Sequence, residues 1–274
     1  MASVNTNYGA MVALQQLNST NSQLEASQTR INTGMKVASA KDNGAIYAIA
    51  QGMRSDVAGF GVVQESLDRA SSTVDVAIAA GEAVSDLLID MKEKALSAAD
   101  ASLTSTQRSA FNEDFTALRD QIATIVSNAE FNGVNLIDGS TTGIEALASS
   151  DGSSTITVQD EAIGLSGSIV TLTSTAQLDT VTNASSAVGT IETSLNNLNQ
   201  ALARLGTASK SLEVHSNFVT KLSDVTEKGI GNLVDADLAK ESAKLQALQT
   251  KQQLGVQAVS IANSSAGIAL SFFR

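Results

Sequence analysis

Apolar side chains recur at alternating spacings of three and four through Ile46, Ile49, Met53, Asp56, Phe60, Val63, Leu67, Ala70, Val74, Ala77, Gly81, Val84, Leu88, Met91, Ala95 and Ala98, and only Asp56 is out of character. A ladder sustained over about seven heptads predicts one long helix, about 80 Å at 1.5 Å per residue, packed as in a coiled coil. A second ladder, Phe111, Phe115, Leu118, Ile122, Ile125 and Ala129, predicts a separate helix, opened by a capping box at Thr104 and Gln107. A third runs through Val188, Ile191, Leu195, Leu198, Leu202, Leu205, Ser209, Leu212, Ser216 and Val219. Each helix alone would expose its apolar stripe to water, so the three are expected to bury their stripes mutually in an antiparallel bundle. The large rungs of the ladders, from Ile49 to Met91, Phe111 to Ile122 and Ile191 to Leu212, are its predicted core.

Between the second and third ladders the helical period stops. Gly133, Gly139, Gly143, Gly152, Gly164 and Gly167 punctuate a Ser/Thr-rich stretch. Alternation at Ile156 and Val158, β-branched residues from Ile169 to Thr173, and turns at Asn132-Gly133 and Asp151-Gly152 predict a small β region within 131–180. The ends carry weaker heptads. Leu17, Leu24 and Ile31 are seven apart, with Leu14 three before Leu17; Leu254, Ile261 and Ile268 repeat the spacing, and Leu238 and Leu245 do so in another phase. Both arms are therefore expected to be helical against a partner. The fold expected is mainly α: a long coiled-coil, antiparallel helical bundle built from N- and C-terminal segments, with a small β-hairpin region in the middle.

Composition changes the picture in three ways. Among 274 residues there is no proline, so nothing interrupts long helices, and no cysteine, so no disulfide, thiol nucleophile or cysteine-ligated zinc site can form. The single histidine, His215, sits in the third ladder and reads as a helix-surface residue rather than a ligand. Neither a catalytic, a cofactor-binding nor a metal site is expected. The formal charge of −11 is concentrated in the middle, with no Lys or Arg from Asp120 to Ala203, a surface that would repel a phosphate backbone. The arms are the opposite. No charged side chain occurs from Met1 to Leu24 or from Gln252 to Phe273. The N-terminus lacks the basic and continuous apolar regions of a cleaved signal, and no run of 18 apolar residues suggests a membrane span.

Neutral arms bear on assembly. A helix enclosed by copies of itself would suffer like-charge repulsion at every symmetry-related contact, whereas Asn, Gln and Ser avoid it and still form hydrogen bonds. Their apolar content is too small to offset the entropy of ordering them in isolation, so they are expected to order as they assemble. The self-assembly positions predicted are Leu14, Leu17, Leu24, Ile31, Leu238, Leu245, Leu254, Ile261, Ile268, Phe272, Phe273 and Arg274.

Several segments at these positions resemble the bacterial flagellins: Ser3 to Leu24, Arg30-Ile-Asn-Thr-Gly34, Ser39-Ala-Lys-Asp-Asn-Gly44, Phe131-Asn-Gly-Val-Asn-Leu-Ile-Asp-Gly139, Lys251 to Asn263, and the ending Leu270-Ser-Phe-Phe-Arg274. The short flagellins of stalked, swarming alphaproteobacteria are the most similar type. The resemblance implies an inner filament-core domain from 1–44 and 232–274, and a tube wall from 45–231 without large outer domains. It implies a structural subunit that polymerises with itself, alone or beside sister flagellins, into the filament that transmits motor torque. Implied partners are the flagellar type III export apparatus, a cytoplasmic export chaperone, hook-filament junction proteins and the filament cap, without nucleic acid or membrane insertion. The implied location is the extracellular filament. Related flagellins carry O-linked sugars, for which Thr141, Thr142, Ser153, Ser154, Thr171 and Thr173 are candidate acceptors. Two alternatives stand beside this reading: a hook-filament junction protein of the same superfamily, and a filament-embedded peptidase, whose His-Glu-x-x-His site a single histidine cannot supply.

Overall fold

The computed structural model describes residues 6–271, with side chains from Thr6 to Ser264. In chain order the elements are α1 (Tyr8–Thr33), α2 (Gly44–Ala98), α3 (Ser105–Asn128), β1 (Glu130–Phe131), β2 (Val134–Asn135), β3 (Ile144–Leu147), β4 (Thr155–Val158), α4 (Val181–Val234) and α5 (Leu238–Ser271). They form two compact units, Met1–Ser55 with Val225–Arg274, and Asp56–Asp224. The units divide at 55/56 and 224/225, inside α2 and α4, whereas the arm boundaries expected from the sequence are 44/45 and 231/232.

In the central unit the long ladder is the core. From Val63 to Ala98 every rung of α2 is buried. Phe115 and Ile122 of α3, and Ile191, Leu198, Leu205, Leu212 and Val219 of α4, are buried against it, while Phe60, Phe111, Leu118, Leu195 and Leu202 are half-buried at its margin. Helices α2 and α4 run antiparallel, since the partners descend along one as they climb the other: Gln64 bonds Thr220, Gly81 faces Leu202, and Lys92 pairs with Glu192 at 2.9 Å. Gly81 permits close approach. A Cβ there would come within 2.7 Å of Leu202 Cδ2. Helix α3 folds back on α2, with Lys94 paired to Asp114 at 2.8 Å, and its N-terminus carries the capping box formed by Thr104 and Gln107.

Two core expectations are corrected near the N-terminal end of α2. Ile49 is 56% exposed, whereas Ala50 is fully buried. Met53 is half-buried in the terminal unit beside Gly229 and lies outside the central core. The inward rungs here are Ile46, Ala50, Met53, Val57 and Phe60, a ladder of the same three-four spacing shifted at alternate positions, which sends Ile49 and Asp56 to water.

The β region is two antiparallel hairpins. Phe131 pairs with Val134 across an Asn132-Gly133 turn in which both residues have positive φ, 50° and 82°. That is the geometry for which Asn-Gly is suited. β3 pairs with β4, Ile144 opposite Val158 and Leu147 opposite Thr155. This second hairpin lies on the bundle. Ser66 Oγ accepts from Leu147 N at 3.0 Å, His215 Nε2 meets the Ala148 carbonyl at 2.8 Å, and Gly59 leaves room for Ser150. His215 is thus a half-buried anchor rather than a free surface residue. The segment from Ile169 to Thr173 is not a strand. Two of its carbonyls are used locally, Leu172 O by Ser166 N and Val170 O by Gly167 N, and Ile169 O accepts from Asn197 of α4, while Val170 and Leu172 are buried in the core.

Candidate assembly surface

The terminal unit is organised about an antiparallel pair, α1 with α5. Asn7 starts α1, its Oδ1 accepting from Ala10 N at 3.0 Å, and Gly34 ends it in the left-handed region at φ 71°. Beyond Gly34, Met35 pairs with Asp235, Lys36 N donates to Val234 O at 2.7 Å and Ala236 N to Gly34 O at 2.8 Å. This short backbone ladder ties the C-terminal end of α1 to the start of α5.

Each helix turns one heptad stripe toward the other. On α1 the enclosed positions are Ala10, Ala13, Leu17, Thr20, Leu24, Ser27 and Ile31; on α5 they are Glu241, Leu245, Leu248, Gln252, Gly255, Val259 and Ala262. Small residues let the helices approach. Gly255 faces Leu17, where an added Cβ would lie 3.1 Å from Leu17 Cδ1. Polar contacts fix the pairing at intervals: Asn7 Nδ2 donates to Ala262 O at 2.7 Å, Gln252 Nε2 to Asn21 Oδ1 at 2.8 Å, and Arg30 to Glu241 at 3.1 Å. Donation from Ser27, then from Arg30, holds the Glu241 carboxyl below its usual range despite the opposing effect of burial.

The predicted assembly residues therefore divide. Leu24 is buried, and Leu17, Ile31 and Leu245 are half-buried, all in the stripes joining α1 to α5. Leu14, Leu238, Leu254 and Ile261 are 50%, 49%, 59% and 67% exposed. Leu254 and Ile261 lie about 100° round the helix from Gly255 and Ala262, outside the inward stripe. The side chain of Ile268, and Phe272, Phe273 and Arg274, fall outside the described residues.

Several outward residues were not anticipated: Tyr8, Met11 and Val12 on the side of α1 away from α5, and Val256 on α5. Buried Leu248 was also missed. The available signal was that α5 is apolar in more than one direction, a pattern that belongs to an enclosed helix. Among the described residues, no His, Cys, Asp or Glu grouping could hold a metal, and no helix is long and apolar enough to cross a membrane.

A family model described as the bacterial flagellin N-terminal helical region matches residues 4–142, and one described as the bacterial flagellin C-terminal helical region matches 188–273. Flagellin FljK of Caulobacter vibrioides is 55% identical over 272 residues, spanning 99% of this chain and 98% of that protein. Flagellin FljM of the same organism is 54% identical over 273 residues, with the same coverage. A flagellin of Brucella melitensis is 38% identical over 283 aligned positions, covering both chains fully. Among solved structures, a putative flagellar hook-associated protein from Vibrio parahaemolyticus superposes with a TM-score of 0.59 at 15% identity, over 71% of this chain and 100% of that one. The crystal structure of Bacillus cereus flagellin gives 0.50 at 24% identity, over 56% and 88%. These two likenesses concern the fold.

Proposed function

The chain belongs to the bacterial flagellin family and is a structural subunit of the flagellar filament, not an enzyme; from that premise we propose that the outward apolar residues of its arms are the contacts by which copies hold one another. The observation that carries this reading is the exposure of Leu254, Val256 and Ile261, at 59%, 56% and 67%, on a stretch of α5 with no charge after Lys251. Tyr8, Met11, Val12 and Leu14 continue the apolar surface on α1, and Leu238 on α5. In a lone subunit these side chains meet water; enclosed by neighbours they gain the transfer free energy of burial, about 1.5–3 kcal/mol for each large side chain fully covered.

Leu17, Leu24, Ile31 and Leu245 act one step earlier, by closing α1 on α5 and so shaping the surface that copies meet. The sparse apolar content of the arms couples their ordering to polymerisation, with Ile268 and the Phe272-Phe273-Arg274 ending in the same role. The arm segments supply the inner filament core, and the helices and hairpins between them supply the wall. Reaching the extracellular filament requires passage through the flagellar export apparatus with a cytoplasmic chaperone. Hook-filament junction proteins, the filament cap and sister flagellins then contact the same arm surfaces. Of the candidate sugar acceptors, Thr142, Ser153, Ser154 and Thr173 are exposed. Thr141 and Thr171 are half-buried and engaged with Asn135 O and Ser194 Oγ, which favours the exposed four.

The test is Leu254→Asp or Ile261→Asp. Either side chain already faces solvent, so the central helices should keep their circular dichroism and thermal transition, while seeded growth measured by light scattering and electron microscopy stops. Filaments of normal length and yield from both variants would refute the proposal.

A further inference from the structure

At one rung of the stripe that α1 turns toward α5, the heptad would take an apolar side chain but the residue is Ser27, fully buried at 0% exposure. Its hydroxyl donates to Glu241 Oε2, while Oε1 of the same carboxylate accepts from Arg30 Nη1 at 3.1 Å and Lys244 Nζ stands 3.7 Å from Oε2. Among the described residues, Arg30 with Glu241 is the only ion pair joining the two helices. The other charges of the arm helices, Glu25, Lys240 and Lys251, are exposed.

Leu17, Leu24, Ile31, Leu245, Leu248 and Val259 supply the apolar contact in the stripes, and the positions between them, Ala10, Ala13, Thr20, Gln252, Gly255 and Ala262, are small or polar. The backbone ladder at Met35 and Asp235 stands at the same end as Glu241, and farther along the pair the polar contacts are neutral, Gln252 with Asn21 and Asn7 with Ala262. We infer that Glu241 is the clasp that carries the pairing from that ladder into the helices, a positioning residue that sets how α5 is registered on α1. Removing its carboxylate strands the buried Ser27 hydroxyl and frees Arg30, itself 36% exposed, from its pairing across the helices. The inference rests on the assembly reading, because only a closed pair presents Leu254 and Ile261 in one fixed orientation.

The chain has no cysteine, so a disulfide reporter can be introduced against an empty background. A Cβ built on Gly255 lies 3.8 Å from Leu17 Cβ, the separation a disulfide requires. Full-length L17C/G255C protein is oxidised mildly, and the intramolecular disulfide is scored at monomer mass on non-reducing gels, in pelleted filaments and in soluble chain separately. With Glu241 present the bond should form readily in the pelleted filaments, where the arms are ordered, and it is there that the variants are compared. Adding E241A should slow closure about tenfold, the scale of losing hydrogen bonds to a charged group, and the charge-exchanged R30E/E241R chain should recover to within about twofold of the starting rate. Closure in E241A as fast as with Glu241, or an exchanged pair as slow as E241A, would overturn the clasp. The assembly reading fails independently, if L254D in the same cysteine background still yields filaments.

Discussion

Asp160 shows how one carboxylate sets a pH response. It follows β4, at the head of a segment in which Glu161 N donates to Leu136 O at 2.9 Å and Ile163 N to Ile137 O at 2.8 Å. Its Oδ1 is buried without a hydrogen-bond partner among the described residues. Burial first, then the charges of Asp138 and Glu161, push its carboxyl up to about 6, against an opposing hydrogen bond from the Gly139 amide. The folded protein therefore binds this proton more tightly than the unfolded chain does. The stability it contributes is complete below the ordinary value of 3.8, falls as pH rises toward about 6, and is absent above. Asp160→Asn should flatten that slope. Thermal melts are expected to show a gain of about 2–4 °C at neutral pH and little change near pH 4; an equal gain at both would mean the charge is not the cause.

At the scale of elements, Gly81 is a place where α2 packs directly against Leu202 of α4. A branched side chain there must displace Leu202, and overfilling a packed core costs typically about 1–3 kcal/mol. Gly81→Val should therefore lower the urea midpoint of the central unit by a corresponding amount, despite valine's better helix propensity. The long helices were legible because a three-four period repeated many times admits few other readings, and from Val63 onward each rung of α2 is where the period puts it. Ile49 was misplaced because two ladders offset by one residue at alternate rungs both fit that stretch. Asp56 was the clue, since the alternative ladder puts Val57 inward instead. The segment from Ile169 to Thr173 has strand-like composition but no neighbouring strand, and a local turn takes two of its carbonyls. The outward surface of the arms was half legible: heptads reveal that a stripe exists, but on α5, apolar in several directions, they do not say which stripe meets α1.

Across the whole molecule, charge is divided as sharply as structure. Between Asp56 and Asp224 there are 22 acidic and 8 basic side chains, a formal −14, while the terminal segments together carry +3. Each subunit added to a polymer brings that central charge toward others of the same sign. Seeded growth should accelerate when salt shortens the screening length from about 30 Å at 0.01 M to about 8 Å at 0.15 M, with magnesium effective at lower concentration than sodium. Elongation rates independent of ionic strength would show that the central units do not meet closely. The second hairpin adds a different consequence. Ser66, Gly59 and His215 hold its near side, and the tip at Asp151 and Gly152 faces solvent, stabilised by hydrogen bonds to the Asp151 carboxylate from its own serines. That tip is a natural grafting point. A foreign peptide spliced there leaves the anchors untouched, and every turn of the polymer would display the cargo at regular intervals.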